Sequence, residues 1–392
     1  GAEYLYNSGA NVSVIGGTGN DSLENHGISV TIDGGEGVDT ITNAGLQAYI
    51  TGLVGNDVIN NTGANSKVEG GDGNDTITNT AESVTVDGGA DEDLIVNTGA
   101  YSSIAGGAGN DSITNNANFV TITGGDGDDS ILGLDNASTI SIDGGNGNNH
   151  IMVTGAYVTM TSGTGDDTFS TAGNTLNIST GCGSDNIVNS ASTVSIDAGA
   201  DDDVLVNETI GQHVLADMGA GNDSVRNYAM NVTILGNGGE DSIYNTAPYV
   251  SIDGGAESDA ISLGTYAQWV TITGGEGDDT IYSNTVGNVF QYSEGDGGDD
   301  YFVNYTSNDT VQIVSGSIKG STVDGADVII YVGDGRLIFK DYKDQEITVM
   351  DANGNVSTEI YGRLVLEGTE YADTLQNTQP DYSIKGYGGD DV

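Results

Sequence analysis

Residues 70–78 read GGDGNDTIT. Three glycines and two aspartates crowd into the first six positions, and a short polar–apolar alternation around Ile77 follows. Glycine frees the backbone for tight bends, crowded carboxylates repel one another, and alternation is the period of a strand. The same word recurs along the chain. With its last Asp as a marker, Asp21, Asp39, Asp57, Asp75, Asp93, Asp111 and Asp129 follow one another at intervals of 18 residues. Asn149 takes the next place after a step of 20, and Asp167, Asp185 and Asp203 follow at 18. Asp223, Asp241, Asp259, Asp279 and Asp299 continue at 20, 18, 18, 20 and 20, and Glu3 stands 18 before Asp21. A fixed period of this length is the signature of a repeat architecture.

Each unit divides into two halves of nine. Gly70 to Asp75 is followed by Thr76-Ile77-Thr78, and Asn79 to Ser83 by Val84-Thr85-Val86-Asp87. Both halves read as a tight loop and a very short strand, with Ile77, Val84 and Val86 pointing to one side. The same places hold Ile41, Ile50, Ile113, Val120, Ile122, Val194, Ile196, Val250 and Ile252. No single turn can bury such a face alone, so turns must stack. The expected fold is all-β: a right-handed parallel β-solenoid (β-roll) of 18–20-residue turns. The two extra residues before Asn149, Asp223, Asp279 and Asp299 are expected to swell surface loops. Asn79 and its equivalents Asn25, Asn43, Asn61, Asn97, Asn115, Asn189, Asn207, Asn227 and Asn245 are expected to form a stacked ladder at left-handed corners, a conformation asparagine tolerates.

Composition narrows the class. The chain has 63 Gly but 2 Pro, which excludes collagen, and 36% hydrophobic residues at fixed positions, which disorder does not need. A formal charge of −50 disfavours nucleic acid and anionic lipid as partners and calls for cations. One cysteine, Cys182, allows no internal disulfide, and no apolar run approaches the ~20 residues that span a bilayer.

Stacking places the marker aspartates in one column. At about 5 Å, neighbouring carboxylates repel by about 3 kcal/mol at an effective dielectric near 20, so the column must be neutralised. Carboxylates together with carbonyls exposed by glycine loops are hard oxygen ligands suited to calcium. The units resemble the glycine-rich nonapeptide of RTX, or haemolysin-type, calcium-binding repeats: GGDGNDTIT, GGAGNDSIT at 106–114, GGDGDDSIL at 124–132 and GGEGDDTIY at 274–282. The resemblance covers roughly residues 1–300. It implies a β-roll with Ca²⁺ between successive loops, held by loop carbonyls and by the Asp at the sixth position. The implied metal residues are Asp21, Asp39, Asp57, Asp75, Asp93, Asp111, Asp129, Asp167, Asp185, Asp203, Asp223, Asp241, Asp259, Asp279, Asp299, Asp373 and Asp391. Only one half of each turn keeps the signature, because Val84, Val120 or Val194 stands where the second half would need Asp. Ions are therefore expected along one edge, with the other edge dry. The loops at 52–57 (GLVGND), 88–93 (GGADED) and 144–149 (GGNGNN) are worn, which puts their occupancy in question. Asp33, Asp87, Asp143, Asp197, Asp217 and Asp253 precede the loops and read as solvated charge.

After Asp299 the period fails. Residues 300–365 read as an antiparallel β-hairpin module, with GDG and NG turn signals and five of the eight basic residues. The segment resembles, more loosely, the small β module that accompanies haemolysin-type repeats. Residues 366–392 return to the repeat with Asp373 and Asp391, 18 apart, as the start of a further solenoid block. The expected organisation is thus 1–299, 300–365 and 366–392 within a longer protein.

The leading functional expectation is a calcium-stiffened extracellular structural rod of a large bacterial surface or secreted protein, such as an adhesin, surface-layer or filament component. It would fold on calcium after export, as the resemblance implies and metal–folding coupling allows. Its partners would be calcium, other copies of itself or an extracellular polymer, with no nucleic acid and no membrane insertion. Ice binding is weaker, because the outward threonine ranks are broken. Catalysis is not expected: His26, His150 and His213 form no constellation, and no HExxH motif occurs. The non-catalytic repeat region of a secreted toxin or enzyme is a further alternative. Polysaccharide binding is another, since Tyr49, Tyr101, Tyr157, Tyr249, Tyr266 and Trp269 could stack on sugars, although scattered surface aromatics are ordinary.

Overall fold

Each repeat forms two strands joined by two bends. In one turn the longer strand is Lys67–Asp72 and the shorter is Thr76–Asn79. Alternation turns Ile77 and Asn79 inward and leaves Thr76 and Thr78 half-buried on the outer face. The next turn repeats this one in parallel register, with Val68 opposite Val86 and Ile77 opposite Ile95. The structure is a computed structural model and describes residues 1–134, 138–208, 212–360, 364–367 and 382–385. It is all-β, and its described residues fall into two compact units, Gly1–Gly236 and Asn237–Val392.

In the first unit, short strands run in parallel from Tyr4–Asn7 to Ser224–Asn227, each paired with its successor. Long strands pair in the same way, from Ser13–Thr18 onward. Ile41, Ile59, Ile77, Ile95 and Ile113 stack between the two sheets with no exposed surface. Burying each contributes about 1.5–3 kcal/mol. The insertion ahead of Asn149 lies between the short strand Ser130–Gly133 and the long strand Ile140–Asn146, at the bend opposite the glycine loops. The sheet registers Ile122–Ile142 and Ile131–Ile151 pass over it unchanged in phase.

The asparagine ladder forms, but its backbone differs from the expectation. Asn25, Asn43, Asn61, Asn79 and Asn97 are buried, and each Nδ2 donates to the Oδ1 of the next asparagine at 2.7–2.9 Å. Each Oδ1 also accepts from the backbone N–H two residues on, as Asn25 does from Gly27 at 2.9 Å. These residues end strands. The left-handed corner lies four residues later, at Ser29 (φ 55°), Gln47 (59°), Asn65 (56°) and Ser83 (60°). Asparagine is therefore needed here for a side chain that bonds both the bend and its neighbour, not for its tolerance of positive φ. The ladder is interrupted where Gly133 and Val153 take its column and resumes from Asn189 to Asn207 and Asn227.

In the second unit the coil runs further than the sequence period suggests. Strand Asp299–Val303 pairs in parallel with Thr280–Ser283, and Gly335–Phe339 pairs in parallel with Asp299–Val303. On the other sheet, Thr310–Ile313 and Glu346–Met350 extend the stack. The expected hairpins are present as additions to this coil. Ile318–Asp324, Asp327–Val332 and Gly335–Phe339 pair antiparallel, as do Glu346–Met350 and Val356–Ile360. Here Phe290, Phe302, Tyr305 and Phe339 replace the isoleucine stack, with ring centroids 4.9–5.8 Å apart. Large rings fill a wider cross-section without glycine loops, which is why the period vanished while the coil did not. Leu364–Glu367 and Tyr382–Lys385 pair in parallel, 18 residues apart.

Candidate metal centre

The site is the bend that joins a long strand to the next short one. In the turn of Asp75, the long strand ends at Asp72 and the short one begins at Thr76, so Asp75 closes the bend. Gly71 and Gly73 hold φ of 125° and 118°, a region closed to most side chains. Asp75 is only 2% exposed. Its Oδ1 accepts from the backbone N–H of Asp57 in the preceding turn at 2.7 Å. The same bond links Asp21 to Asp39, Asp39 to Asp57, Asp93 to Asp111 and Asp185 to Asp203, at 2.7–2.8 Å. From Asp21 to Asp129 the column predicted from the marker spacing is therefore an unbroken run of carboxylate-to-amide bonds.

The second carboxylate oxygen is different. Oδ2 of Asp21, Asp39, Asp57, Asp75, Asp93, Asp111, Asp129, Asp203 and Asp259 is buried and has no hydrogen-bond partner. A buried acceptor left unpaired costs about 1–3 kcal/mol. The first glycine of the loop makes room for it. A Cβ placed on Gly34 would stand 2.5 Å from Asp39 Oδ2 and 2.8 Å from the carbonyl oxygen of Gly52 in the next turn. Two acceptors thus converge on the space of a missing side chain. The same pair of oxygens crowds the would-be Cβ of Gly16, Gly52, Gly70, Gly88, Gly106, Gly124 and Gly254.

Asn149 shows what a donor does in that space. It is buried in the column and its Oδ1 accepts from Asp129 N–H at 3.0 Å. Its Nδ2, where an aspartate would carry Oδ2, donates to the carbonyl of Gly147 at 3.1 Å and to Ser162 Oγ at 3.2 Å. The bend therefore offers acceptors to the sixth position. An amide satisfies them, whereas a carboxylate needs a cation or a proton in between.

Burial also acts on the ionisation of these carboxyls. Burial, the leading cause, pushes Asp57, Asp111, Asp129 and Asp185 up to about 6, Asp75 and Asp93 to about 7, and Asp203 and Asp259 to about 8. For all but Asp185, the amide bond to the preceding turn is the second cause and pulls the other way, with repulsion from neighbouring carboxylates smaller still. At Asp185 the Thr180 hydroxyl also lowers it, ahead of the amide bond. Desolvation, rather than the like-charge repulsion read from the sequence, is the main cost of ionising the column.

The cradle geometry does not track the glycines missing from the worn loops. The loops at Asp57 and Asp93 keep the first glycine, Gly52 and Gly88, and with it the two-oxygen cradle. The later glycine missing from GLVGND is replaced by Leu53, which adopts φ 78°. The cradle is filled instead where Ser162, Thr180, Ala198 and Met218 replace the first glycine, in the turns of Asp167, Asp185, Asp203 and Asp223. Asp299 is a correction. Asp300 occupies its column place, 3% exposed, with Oδ1 accepting from Asp279 N–H at 3.2 Å. Asp299 points outward and pairs with the Arg336 guanidinium through both oxygens. The step is 21 residues here, so counting 20 lands one residue short. Asp373 and Asp391 lie outside the described residues. Asp33, Asp87, Asp143, Asp197 and Asp253 stand on the outer face of long strands, away from the cradle. Among the described residues, no three His, Cys, Asp or Glu side chains converge on one point.

No protein-family model matches the chain, and no curated protein matches it. Among solved structures, the chain is similar to the crystal structure of extracellular lipase LipA from Serratia marcescens, at 17% identity and a TM-score of 0.21. The match covers 58% of this chain and 42% of the lipase.

Proposed function

We propose that the glycine-loop edge binds calcium and that the chain is a calcium-stiffened structural rod of an extracellular or cell-surface protein. One observation carries the proposal: a column of buried Oδ2 atoms without a partner, of which those of Asp21 to Asp129 and of Asp259 meet a carbonyl of the next turn. Asp21 to Asp129, Asp259 and Asp279 would contribute carboxylate oxygens, and the first loop glycine of the following turn a carbonyl. An all-oxygen donor set favours calcium over zinc or copper. When bound, the ion would supply positive charge where burial otherwise opposes ionisation. Turn-to-turn stacking would then depend on it, so folding would couple to metal. Extracellular calcium modules fill at about 10⁻⁴–10⁻³ M, and a fold that depended on such sites would suit an extracellular setting and a role as adhesin, surface-layer or filament component.

Circular dichroism and thermal unfolding in EDTA, followed by calcium titration, test the reading. Calcium is expected to raise the melting midpoint and the β-signal, and magnesium to do so far less. An unchanged midpoint across the titration would end the proposal.

A further inference from the structure

Exposed aromatic side chains occupy a place in the coil that resists them. The left-handed corner holds Ser, Gln, Asn or Thr in most turns, but Tyr101 and Phe119 in two successive ones, both at φ 58°. A bulky residue at positive φ is an outlier that costs about 1–3 kcal/mol, and such outliers cluster at functional sites. Both rings remain in solvent, Tyr101 at 60% exposure. They stack with centroids 5.0 Å apart and planes within 2° of parallel. The preceding corner residue is the small Ser83, so the column steps up at Tyr101 and leaves a groove of about 400 Å³. Its walls are the two rings together with Ser83, Thr85, Ser103 and Thr121. Thr85, Ser103 and Thr121 lie side by side on adjacent parallel strands. Ser83, Thr85, Ser103 and Thr121 are all exposed.

The construction recurs in the second unit. Tyr249 (φ 59°) and Trp269 (φ 54°) stack at 5.1 Å and 11°, and the next corner is Gly287, whose would-be Cβ lies 3.4 Å from the indole. Ser251 and Thr271 form the adjacent hydroxyl pair.

We propose that these two aromatic steps are binding sites for neutral saccharides. A pyranose ring presents an apolar C–H face to stack on an aromatic plane and a rim of hydroxyls to pair with a rank of Ser and Thr. A purely apolar occupant would bury those hydroxyls unpaired, which is unfavourable. No charged side chain lines the groove at Tyr101, and a chain of net charge −50 repels acidic glycans. The sites use none of the column carboxylates.

The test titrates the full chain, in calcium-containing buffer, with soluble neutral oligosaccharides of glucose, mannose and N-acetylglucosamine, and with alginate as an acidic comparison. Trp269 is the only tryptophan, so its emission reports on the second step alone, while calorimetry reports on both. Binding of at least one neutral oligosaccharide is expected, with a change in Trp269 emission. Tyr101→Ser with Tyr249→Ser is expected to weaken it about ten-fold, as loss of an aromatic anchor does. Ser already occupies the same corner at Ser29 and Ser83, so the fold tolerates it, and an unchanged melting midpoint verifies this. Tyr101→Phe keeps the ring and should bind normally. The proposal falls if no neutral oligosaccharide binds, if the double variant binds as tightly as the parent, or if alginate binds equally well. It also falls if sedimentation shows the rings occupied by a second copy of the chain.

Discussion

Replacing Asp75 by Asn is expected to have opposite effects with and without calcium. Without metal, Asp75 Oδ2 is buried and unpaired, and burial raises its pKa to about 7. The unfolded chain ionises this group near 3.9, and each unit of difference is worth about 1.4 kcal/mol. Holding the carboxyl neutral in the fold at pH 7 therefore costs about 4 kcal/mol, and about 2–4 kcal/mol after the loop relaxes. An amide carries no such cost. Asn149 shows how its Nδ2 would find a loop carbonyl while Oδ1 keeps the amide bond to the preceding turn. Asp75→Asn should thus stabilise the chain in EDTA at pH 7. In calcium it removes an ionic ligand, and at a concentration 100-fold above Kd a lost site is worth about 2.7 kcal/mol in the other direction. At pH 4 in EDTA both side chains are neutral, and the difference should largely vanish. Thermal unfolding under the three conditions reads the sign. Because a stacked coil can open locally, hydrogen exchange at the Ile77 amide provides a local check. Equal destabilisation in EDTA and in calcium would refute the idea that the column carries an unmet charge.

The metal-free chain should lose stability as pH rises. Folded pKa values raised to about 6–8 at Asp57, Asp75, Asp93, Asp203 and Asp259 mean that the stabilising proton is fully bound below about pH 4 and leaves as pH passes through 6–8. Melting midpoints in EDTA should fall between pH 5 and pH 9, whereas calcium should flatten the profile; a rise in EDTA over that range would contradict it. Gly88→Ala places a methyl between Asp93 Oδ2 and the Gly106 carbonyl, so calorimetry should show both a lower calcium stoichiometry and a loss of about 1–3 kcal/mol by overpacking. Asn79→Ala removes the ladder bonds to Asn61 and Asn97 and the cap on the Ala81 N–H, and should cost about 2–4 kcal/mol equally in EDTA and in calcium. A calcium-dependent loss at Asn79 would show that the two edges are coupled.

Reading the chain as stacked turns with one acidic edge required only the 18-residue spacing of the aspartates and the alternation around Ile77. Both are local, and a repeat projects local pattern directly onto a column. Decisions between neighbouring turns were hidden from it. That the first loop glycine is the one that matters is settled by Asp39 Oδ2 and the Gly52 carbonyl meeting above Gly34, from residues 13 apart in sequence. That Asp300 and not Asp299 enters the column follows from a 21-residue step whose length only the pairing of Ile281 with Phe302 reveals. The corner lies at Ser83 rather than Asn79 because a ladder of side-chain bonds, invisible in one repeat, holds the asparagine in the strand. Continuation of the coil past residue 300 was masked because aromatic packing around Phe302 and Phe339 does not need the glycine loops that marked every earlier turn. Sequence alone thus determined the period, the sheet faces and the acidic column. Tertiary structure decided which atoms in that column are left without partners, because an unmet acceptor is a property of what the neighbouring turn brings to it.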